Sequence, residues 1–325
     1  MNSRYSKKKR KVRKGRIFLF VFLILILAVG GYAYSQYYQG KKQAGKGMVK
    51  QENIEFNGKK DEKGRINFLL LGVDKRKNET KSHTDTIMVA QYDPKSGDVK
   101  LISLMRDMFV DVPGYKKWKI NTAFFLGGPE LLRQTIQQTF GLDVQYYVQV
   151  DFKGFEKIVD TLAPDGIEID VEKKMSKNIG VTLEPGLQKL NGKELLGYAR
   201  FRHDAEGDFG RVARQQKVIN ALKSEILSVN GITKAPKLVG TIQPFIQTNI
   251  STTDSIALLT KVLLNQPKKI ETLTVPVKGA FTEGRSDYAG AVLEIDQEKN
   301  RQAIDAFLNG DNTEEANTTD SQSNP

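Results

Sequence analysis

Eighteen consecutive residues, Ile17–Tyr34 (IFLFVFLILILAVGGYAY), carry no charge, and nine Lys/Arg residues precede them within the first 16 positions. As a helix this run spans about 27 Å, close to the ~30 Å hydrocarbon core of a bilayer. A chain with such a start is expected to be membrane-attached, and everything after it must fold on one side. The one-sided basic block keeps residues 1–16 in the cytoplasm and sends residues 35–325 outside. Tyr32, Tyr34, Tyr37 and Tyr38 fit an interfacial aromatic belt. The competing reading is a cleaved signal peptide. The apolar run is long for that, and no Ala-x-Ala site follows it, so an uncleaved signal-anchor over residues 17–34 is expected.

The formal charge of +12 suggests a nucleic-acid binder until its distribution is read. Residues 1–50 hold 13 Lys/Arg and no Asp/Glu, which leaves 37 basic against 38 acidic residues in 51–325. The body is therefore close to neutral, and no nucleic-acid partner is expected. A nuclear localisation reading of Lys7–Lys14 does not fit the adjoining span. The chain has no cysteine, which excludes disulfides, thiol nucleophiles and Cys-ligated metals. With two histidines, His83 and His203, a His-rich metal site is excluded too.

Residues 35–64 are polar, rich in Gly, Lys and Gln past Gly40, and read as an extracytoplasmic stalk. Residues 310–325 are polar and acidic and are expected to be disordered. One domain, 65–309, lies between. Ile66–Val73 (INFLLLGV) is a continuous apolar run, as in a strand buried on both faces. Thr84–Tyr92, Val99–Met105, Val144–Val150, Ile270–Val275 and Ala291–Ile295 read as further strands. Helical periods cover Ile120–Phe125, Pro129–Phe140, Phe152–Leu162, Asn191–Gly197, Gly210–Val229, Pro236–Thr248, Thr253–Asn265 and Gln297–Leu308. Strands alternating with helices predict an α/β/α sandwich around a mixed sheet.

Charged side chains gather at the ends of these elements. Arg200 and Arg202 share one face if their segment is extended, which turns Ala199 and Phe201 inward. Arg211 and Gln215 share a helix face. Planar guanidinium forks arriving from two elements suit a phosphate or pyrophosphate. The alternative is an ion-pair network in which these residues and Arg214 take Asp204, Glu206 and Asp208. Asp74 directly follows the first strand and Asp85 opens the next, so an antiparallel pair brings both to one edge. Two carboxylates suit a hard Mg²⁺ ion that shares phosphate oxygens, and each Asp is equally at home capping a turn. Arg106 and Asp107 end another strand, and Lys119 precedes a helix. Phe124, Phe125, Leu126, Leu131, Phe152, Phe155, Ile158 and Leu162 read as core, with a lipid pocket between helices and sheet as the alternative.

Seven blocks then occur in order: FLLLGVD (68–74), TDTIMV (84–89), SLMRDM (103–108), KINTAFFLGG (119–128), VDFKGF (150–155), LNGKELLGYARFRH (190–203) and DFGRVARQQ (208–216). With the basic start and single span, they resemble the LytR–CpsA–Psr family, and most closely its teichoic acid transferases. The resemblance implies an α/β/α fold with an apolar pocket for a polyisoprenyl tail. It implies a Mg²⁺- or Mn²⁺-dependent phosphotransferase of Gram-positive envelopes. Such an enzyme moves an anionic glycopolymer from a polyprenyl-pyrophosphate carrier to peptidoglycan, at the N-acetylmuramic acid 6-hydroxyl. By motif position it makes Asp74 and Asp85 the metal-side and catalytic carboxylates, with Arg106 beside them. It makes Arg106, Lys119, Arg200, Arg202, Arg211 and Gln215 the pyrophosphate ligands. The usual Ile-Pro-Arg-Asp is Leu-Met-Arg-Asp here, and Thr122 stands for the usual His; neither change removes a charged ligand.

Phosphoryl transfer of this kind depends on positioning and on neutralising charge. No Walker A loop is present, so the pyrophosphate itself must drive the reaction. Two alternatives stay open: a hydrolase acting on the same carrier with water as acceptor, and a non-enzymatic envelope regulator.

Overall fold

The computed structural model describes residues 14–45, 49, 52–74, 82–228 and 232–310. The first helix, α1 (Lys14–Ala44), contains the expected span. The side chains of residues 14–21 and 23–26 lie outside the described set. Among the described residues no helix is long and apolar enough to cross a membrane. Most of the basic tail, and the acidic tail beyond residue 310, also lie outside the described residues.

The main sheet grows from β1 (Ile66–Val73). On one side β1 pairs antiparallel with β2 (Thr84–Tyr92), which pairs antiparallel with β3 (Val99–Leu104). On the other side it runs parallel to β6 (Tyr146–Asp151). The edges are β10 (Ile270–Val275), parallel to β3, and β9 (Ile246–Thr248), antiparallel to β6. The order β10-β3-β2-β1-β6-β9 makes a mixed six-stranded sheet. A second sheet has the order β11-β12-β4-β5, from Phe281–Ser286, Gly290–Ile295, Met108–Val110 and Trp118–Lys119. A hairpin of β7 (Ile167–Val171) and β8 (Gly186–Leu190) stands apart.

The apolar run of β1 serves two faces, one buried in the core and the other only partly covered and facing the cavity described below. Leu69, Leu71 and Val73 point into the main core, with Ile87, Val89, Ile102 and Leu104 from the neighbouring strands. Helix α2 (Ile120–Phe140) closes that face through Ile120, Phe124, Leu132 and Ile136, and α8 (Gln297–Asn309) through Ile304 and Leu308. The break expected in α2 is present: Gly127 and Gly128 leave helical geometry, Gly128 with φ +66°, and Pro129 restarts the helix. The opposite face receives α3 (Phe152–Leu162), α4 (Gly192–Arg200), α5 (Gly207–Ser228) and α6 (Ala235–Ile242). The domain is thus an α/β layer structure around a mixed sheet. Helix α7 (Thr252–Leu264) packs on α6.

Two boundaries differ from expectation. The helix expected over Pro236–Thr248 stops at Ile242, because Pro244 lacks the N–H a helix needs and forces a turn, after which β9 joins the sheet. Arg200 lies on the last turn of α4, not in an extended segment; the backbone becomes extended at Phe201 (φ −62°, ψ 133°). The stretch read as a stalk lies against the domain in both halves, its first part packing along α6 as the end of α1. Phe56 packs on the Tyr147 ring at 5.0 Å between centroids, and the Lys59 N–H donates to the Val144 carbonyl at 3.0 Å.

Candidate active site

Between the sheet and helices α3–α6 lies a cavity of about 430 Å³. Its floor is the alternate face of β1, β2 and β6: Leu70, Gly72, Thr86, Met88, Val148 and Val150. Its walls are apolar side chains of the helices, among them Phe155, Ile158, Leu162, Leu196, Val218 and Leu222. One end is charged. Asp85, Arg106, Arg200, Arg202, Arg211 and Gln215 all line the cavity. Asp74 and Lys119 are not among its lining residues.

Asp85 reaches the cavity through a bulge. Gly72 opposes Thr86 and Val73 opposes Thr84, so Asp85 is the extra residue between them. A bulge re-aims its side chain. The fully buried Thr84 holds the irregularity, its hydroxyl lying 2.8 Å from both the Gly72 and Thr86 carbonyl oxygens. Asp74 lies just past β1, its N–H donating to the His83 carbonyl at 3.4 Å. Both carboxylates therefore sit at one end of the β1–β2 pair, as the sequence implied.

The strand expected to end on Arg106 and Asp107 stops at Leu104; both residues lie in the turn before β4, where Arg106 is ion-paired with Asp85. Its Nε is 3.4 Å from Asp107, and Asp107 accepts from Lys119 Nζ at 2.8 Å. Lys119 thus supports Arg106 through Asp107. Burial works against the charge on Arg106, but Asp85, Asp208 and Asp107 outweigh it and hold the guanidinium above its usual range. Arg211 is 4 % exposed and pairs with Asp208 at 2.8 Å. Burial pushes Arg211 below its usual range; Asp208 opposes that, while Arg106 and Arg202 add repulsion. Arg211 Nε makes no hydrogen bond and Arg106 Nε only the 3.4 Å ion pair to Asp107; Arg214 Nε, in the neighbouring ion-pair cluster, also makes no hydrogen bond. Guanidinium groups crowded at one end of a cavity have the chemistry to receive an anion.

The other cations divide cleanly. Arg200 stacks on Phe152 at 4.1 Å, and Arg202 is exposed at the cavity rim. Arg214 takes the ion-pair role: it binds Asp204 at 3.1 Å, lies 3.7 Å from Glu206 and donates to the Phe201 carbonyl at 3.0 Å. Gln215 caps α4 from within, reaching the Ala199 carbonyl at 3.5 Å. Gln216 anchors α5 to the sheet through Ser103 (3.0 Å) and Thr274 (3.2 Å). Of the apolar residues weighed between core and pocket, Phe124 and Leu131 belong to the core, and Phe152, Phe155, Ile158 and Leu162 line the cavity. Asn178, at φ +61°, and His203 form a rim contact of 2.8 Å that sequence reasoning did not identify. Among the described residues no group of three His, Cys, Asp or Glu side chains could hold a metal. The two carboxylates fit only an ion that takes its remaining ligands from phosphate and water.

The site is thus an apolar chamber with one guanidinium-lined end, set in an α/β layer domain. The family model described as the LytR_cpsA_psr family matches residues 31–304, and the chain belongs to that family. The regulatory protein MsrR of Staphylococcus aureus (strain COL) is 45% identical over 280 residues, covering 86% of this chain and 85% of that protein. A polyisoprenyl-teichoic acid–peptidoglycan teichoic acid transferase, TagU of Oceanobacillus iheyensis, is 30% identical over 80% of this chain and 85% of its own length. The crystal structure of TagV from Bacillus subtilis shares the fold with a TM-score of 0.64 at 28% identity, covering 77% of this chain and 99% of that one.

Proposed function

We propose that this protein is a membrane-anchored extracytoplasmic phosphotransferase. It moves an anionic glycopolymer, wall teichoic acid in the first instance, from a polyprenyl-pyrophosphate carrier to peptidoglycan. One observation carries the reading: the apolar cavity ends on Arg106 and Arg211, two largely buried guanidinium groups whose like charges repel across its charged end. Related proteins named as teichoic acid transferases support it. The isoprenoid tail fills the space between the sheet and α3–α6. The pyrophosphate lies among Arg106, Arg200, Arg202 and Arg211.

The acceptor is a glycan hydroxyl, the 6-hydroxyl of N-acetylmuramic acid. Its oxygen forms a bond to the phosphorus that carries the polymer, and the bridging P–O bond breaks. Polyprenyl monophosphate leaves, and the polymer keeps one phosphate as a phosphodiester. Charge grows on the leaving phosphate, where Arg forks bind most strongly. Of the two carboxylates, Asp85 lines the cavity and Asp74 does not, so Asp85 is the nearer acceptor for the hydroxyl proton. A Mg²⁺ or Mn²⁺ ion held by Asp74 and Asp85 would offset phosphate charge when bound. The signal-anchor over residues 17–34 keeps the domain at the outer face of a Gram-positive-type membrane.

The test is reconstitution with a lipid-linked polymer and uncrosslinked glycan strands. Polymer joined to glycan with one retained phosphate supports the transferase. Free polymer phosphate made equally with or without glycan identifies a hydrolase instead. No consumption of carrier leaves the regulator.

A further inference from the structure

Helix α1 docks on α6 backbone to backbone. The covered residues of α1 are Ala33, Gln36, Tyr37, Gly40 and Ala44, spaced three or four apart on one stripe. A Cβ at Gly40 would overlap the Lys237 carbonyl, and a Cβ at Gly240 would overlap the Tyr37 carbonyl. So close an approach needs glycine on both sides. The Tyr37 hydroxyl donates to Gln243 Oε1 at 3.2 Å. These pairs fix the sense of the contact. Gly40 meets Lys237, while Tyr37 meets Gly240 and Gln243, so the two helices run antiparallel. Followed toward the N terminus, α1 leaves the domain past the C-terminal end of α6.

That end of α6 is level with the charged end of the cavity. Just after Gln243, Ile246 pairs with Val150 in β6, and Val150 pairs with Gly72 in β1. Gly72 opposes Thr86, beside the bulged Asp85. With strands about 4.8 Å apart, Ile246 lies only about 10 Å across the sheet from Gly72. Phe152 opens α3 at the same end and carries the Arg200 guanidinium on its ring. The cavity opens there too. Among the described residues that line it, those exposed are Lys177, Asn178, Arg202 and His203, all polar. Leu162, about 15 Å of helix rise further along α3, and Ile226, far along α5, are partly covered. On α1, Tyr32, Tyr34 and Tyr38 flank the Tyr37 contact and are exposed, as are Phe22, Leu27 and Val29 beyond them.

We propose that the docked α1 seats the charged mouth of the cavity on the headgroup layer of the bilayer. The exposed tyrosines then lie at the membrane interface, where such rings settle, at the height of the Arg-lined mouth. A lipid-linked pyrophosphate is taken up where it already lies, so its charge never enters hydrocarbon. Its tail turns out of the bilayer through the mouth into the cavity, from one apolar surrounding into another. The proposal rests on the carrier-lipid reading above and on α1 entering the membrane. A tether free of α6 would hold the protein near the membrane but leave the mouth pointing in any direction.

The test measures height above the bilayer, with the full chain in proteoliposomes. The chain has no cysteine, so Lys153→Cys or Lys95→Cys takes a single fluorophore. Lys153 is exposed on the first turn of α3, at the charged end. Lys95 is exposed in the turn between β2 and β3, at the other end of the sheet. The length of β2 separates the two levels by about 26 Å. A spin label carried on lipid headgroups quenches fluorophores close to it. Quenching should be strong at position 153 and close to lost at position 95. Equal quenching at both, or stronger quenching at 95, overturns the proposal. Gly240→Leu forces the two backbones apart and should remove the difference; a difference that persists overturns the proposal, because docking then does not set the orientation. In detergent the same variant should bind a water-soluble two- or three-isoprene pyrophosphate as tightly as the parent, since that ligand needs no membrane. Loss of that binding overturns the proposal too, because the contact then serves the fold of the domain. The quenching itself needs no carrier. A parent that shows the height difference but binds no polyprenyl pyrophosphate keeps the orientation and refutes the carrier-lipid reading.

Discussion

Arg211 and Arg214 lie one turn apart on α5, yet they have different partners and should fail differently. Removing Arg211 takes away a cavity-lining guanidinium whose protein ion pair is to Asp208, a carboxylate that still reaches water once left alone. Arg211→Ala should weaken binding of a polyprenyl pyrophosphate by about 1.5–3 kcal/mol, with unfolding by urea little changed. Arg214→Ala strands Asp204, whose side chain is 6% exposed, and should destabilise the fold by about 3–5 kcal/mol. The sign of the pH dependence follows. Burial raises the Asp204 pKa, but Arg214 and Lys173 lower it by more, leaving it below its ordinary 3.8. A depressed carboxyl stabilises the fold above its unfolded pKa and loses that contribution as pH falls through the folded value. The gap between wild type and Arg214→Ala in urea unfolding should therefore be full at pH 7 and shrink below about pH 4. A constant gap would mean that the Asp204 pair is not its source. Thr84→Val probes the bulge: losing two hydroxyl contacts in a fully buried position should cost about 1–3 kcal/mol and slow transfer, because Asp85 is no longer held toward the cavity. Transfer at the wild-type rate would show that Asp85 needs no such support. None of this was legible residue by residue. The sequence places Arg211 and Arg214 in one basic run, and only the 204–206 turn folding back onto α5 separates them. Likewise the pairing register of β1 and β2, not the local sequence, makes Asp85 the bulged residue.

At the scale of elements, periodicity revealed more. Arg211, Gln215, Val218, Ile219, Leu222 and Ile226 follow one face of α5, polar for the first turn and apolar after it. The stripe is plain in the sequence; whether it faces a packed core or a cavity is not, because both are apolar. The strict alternation of β7, exposed at Glu168 and Asp170 and buried between, is a strand signal carried by the sequence itself. The short strands β4 and β5 carry too few residues to show a period. The α5 stripe gives its own prediction. Leu222→Trp should fill the apolar part of the cavity and act as a length filter. Rates with long-chain carriers should fall on the order of tenfold, while two- or three-isoprene carriers keep the wild-type rate. Equal loss for both lengths would place Leu222 in the general packing of α5 and not beside the tail.

The whole molecule combines a neutral domain with one basic end, and that asymmetry sets its expected orientation. Protease added to intact protoplasts should digest residues 35–325, and protection of that region would reverse the proposed topology. The layer architecture was readable because strands and helices alternate along the chain, and the head of the site because its charges fall at element ends. The cavity needed the structure, since it exists only where the alternate face of β1, β2 and β6 meets four helices that do not fill it. The central claim is that this cavity and its guanidinium head bind one amphiphile together. The direct measurement is the affinity of the wild-type protein for three ligands: a polyprenyl pyrophosphate, the matching polyprenol and inorganic pyrophosphate. Head and tail acting together should make the lipid pyrophosphate bind roughly 100-fold or more tightly than either part, each factor of ten being about 1.4 kcal/mol. Polyprenol binding as tightly as its pyrophosphate would contradict the role of Arg106 and Arg211, and inorganic pyrophosphate binding as tightly as the lipid would contradict the role of the cavity.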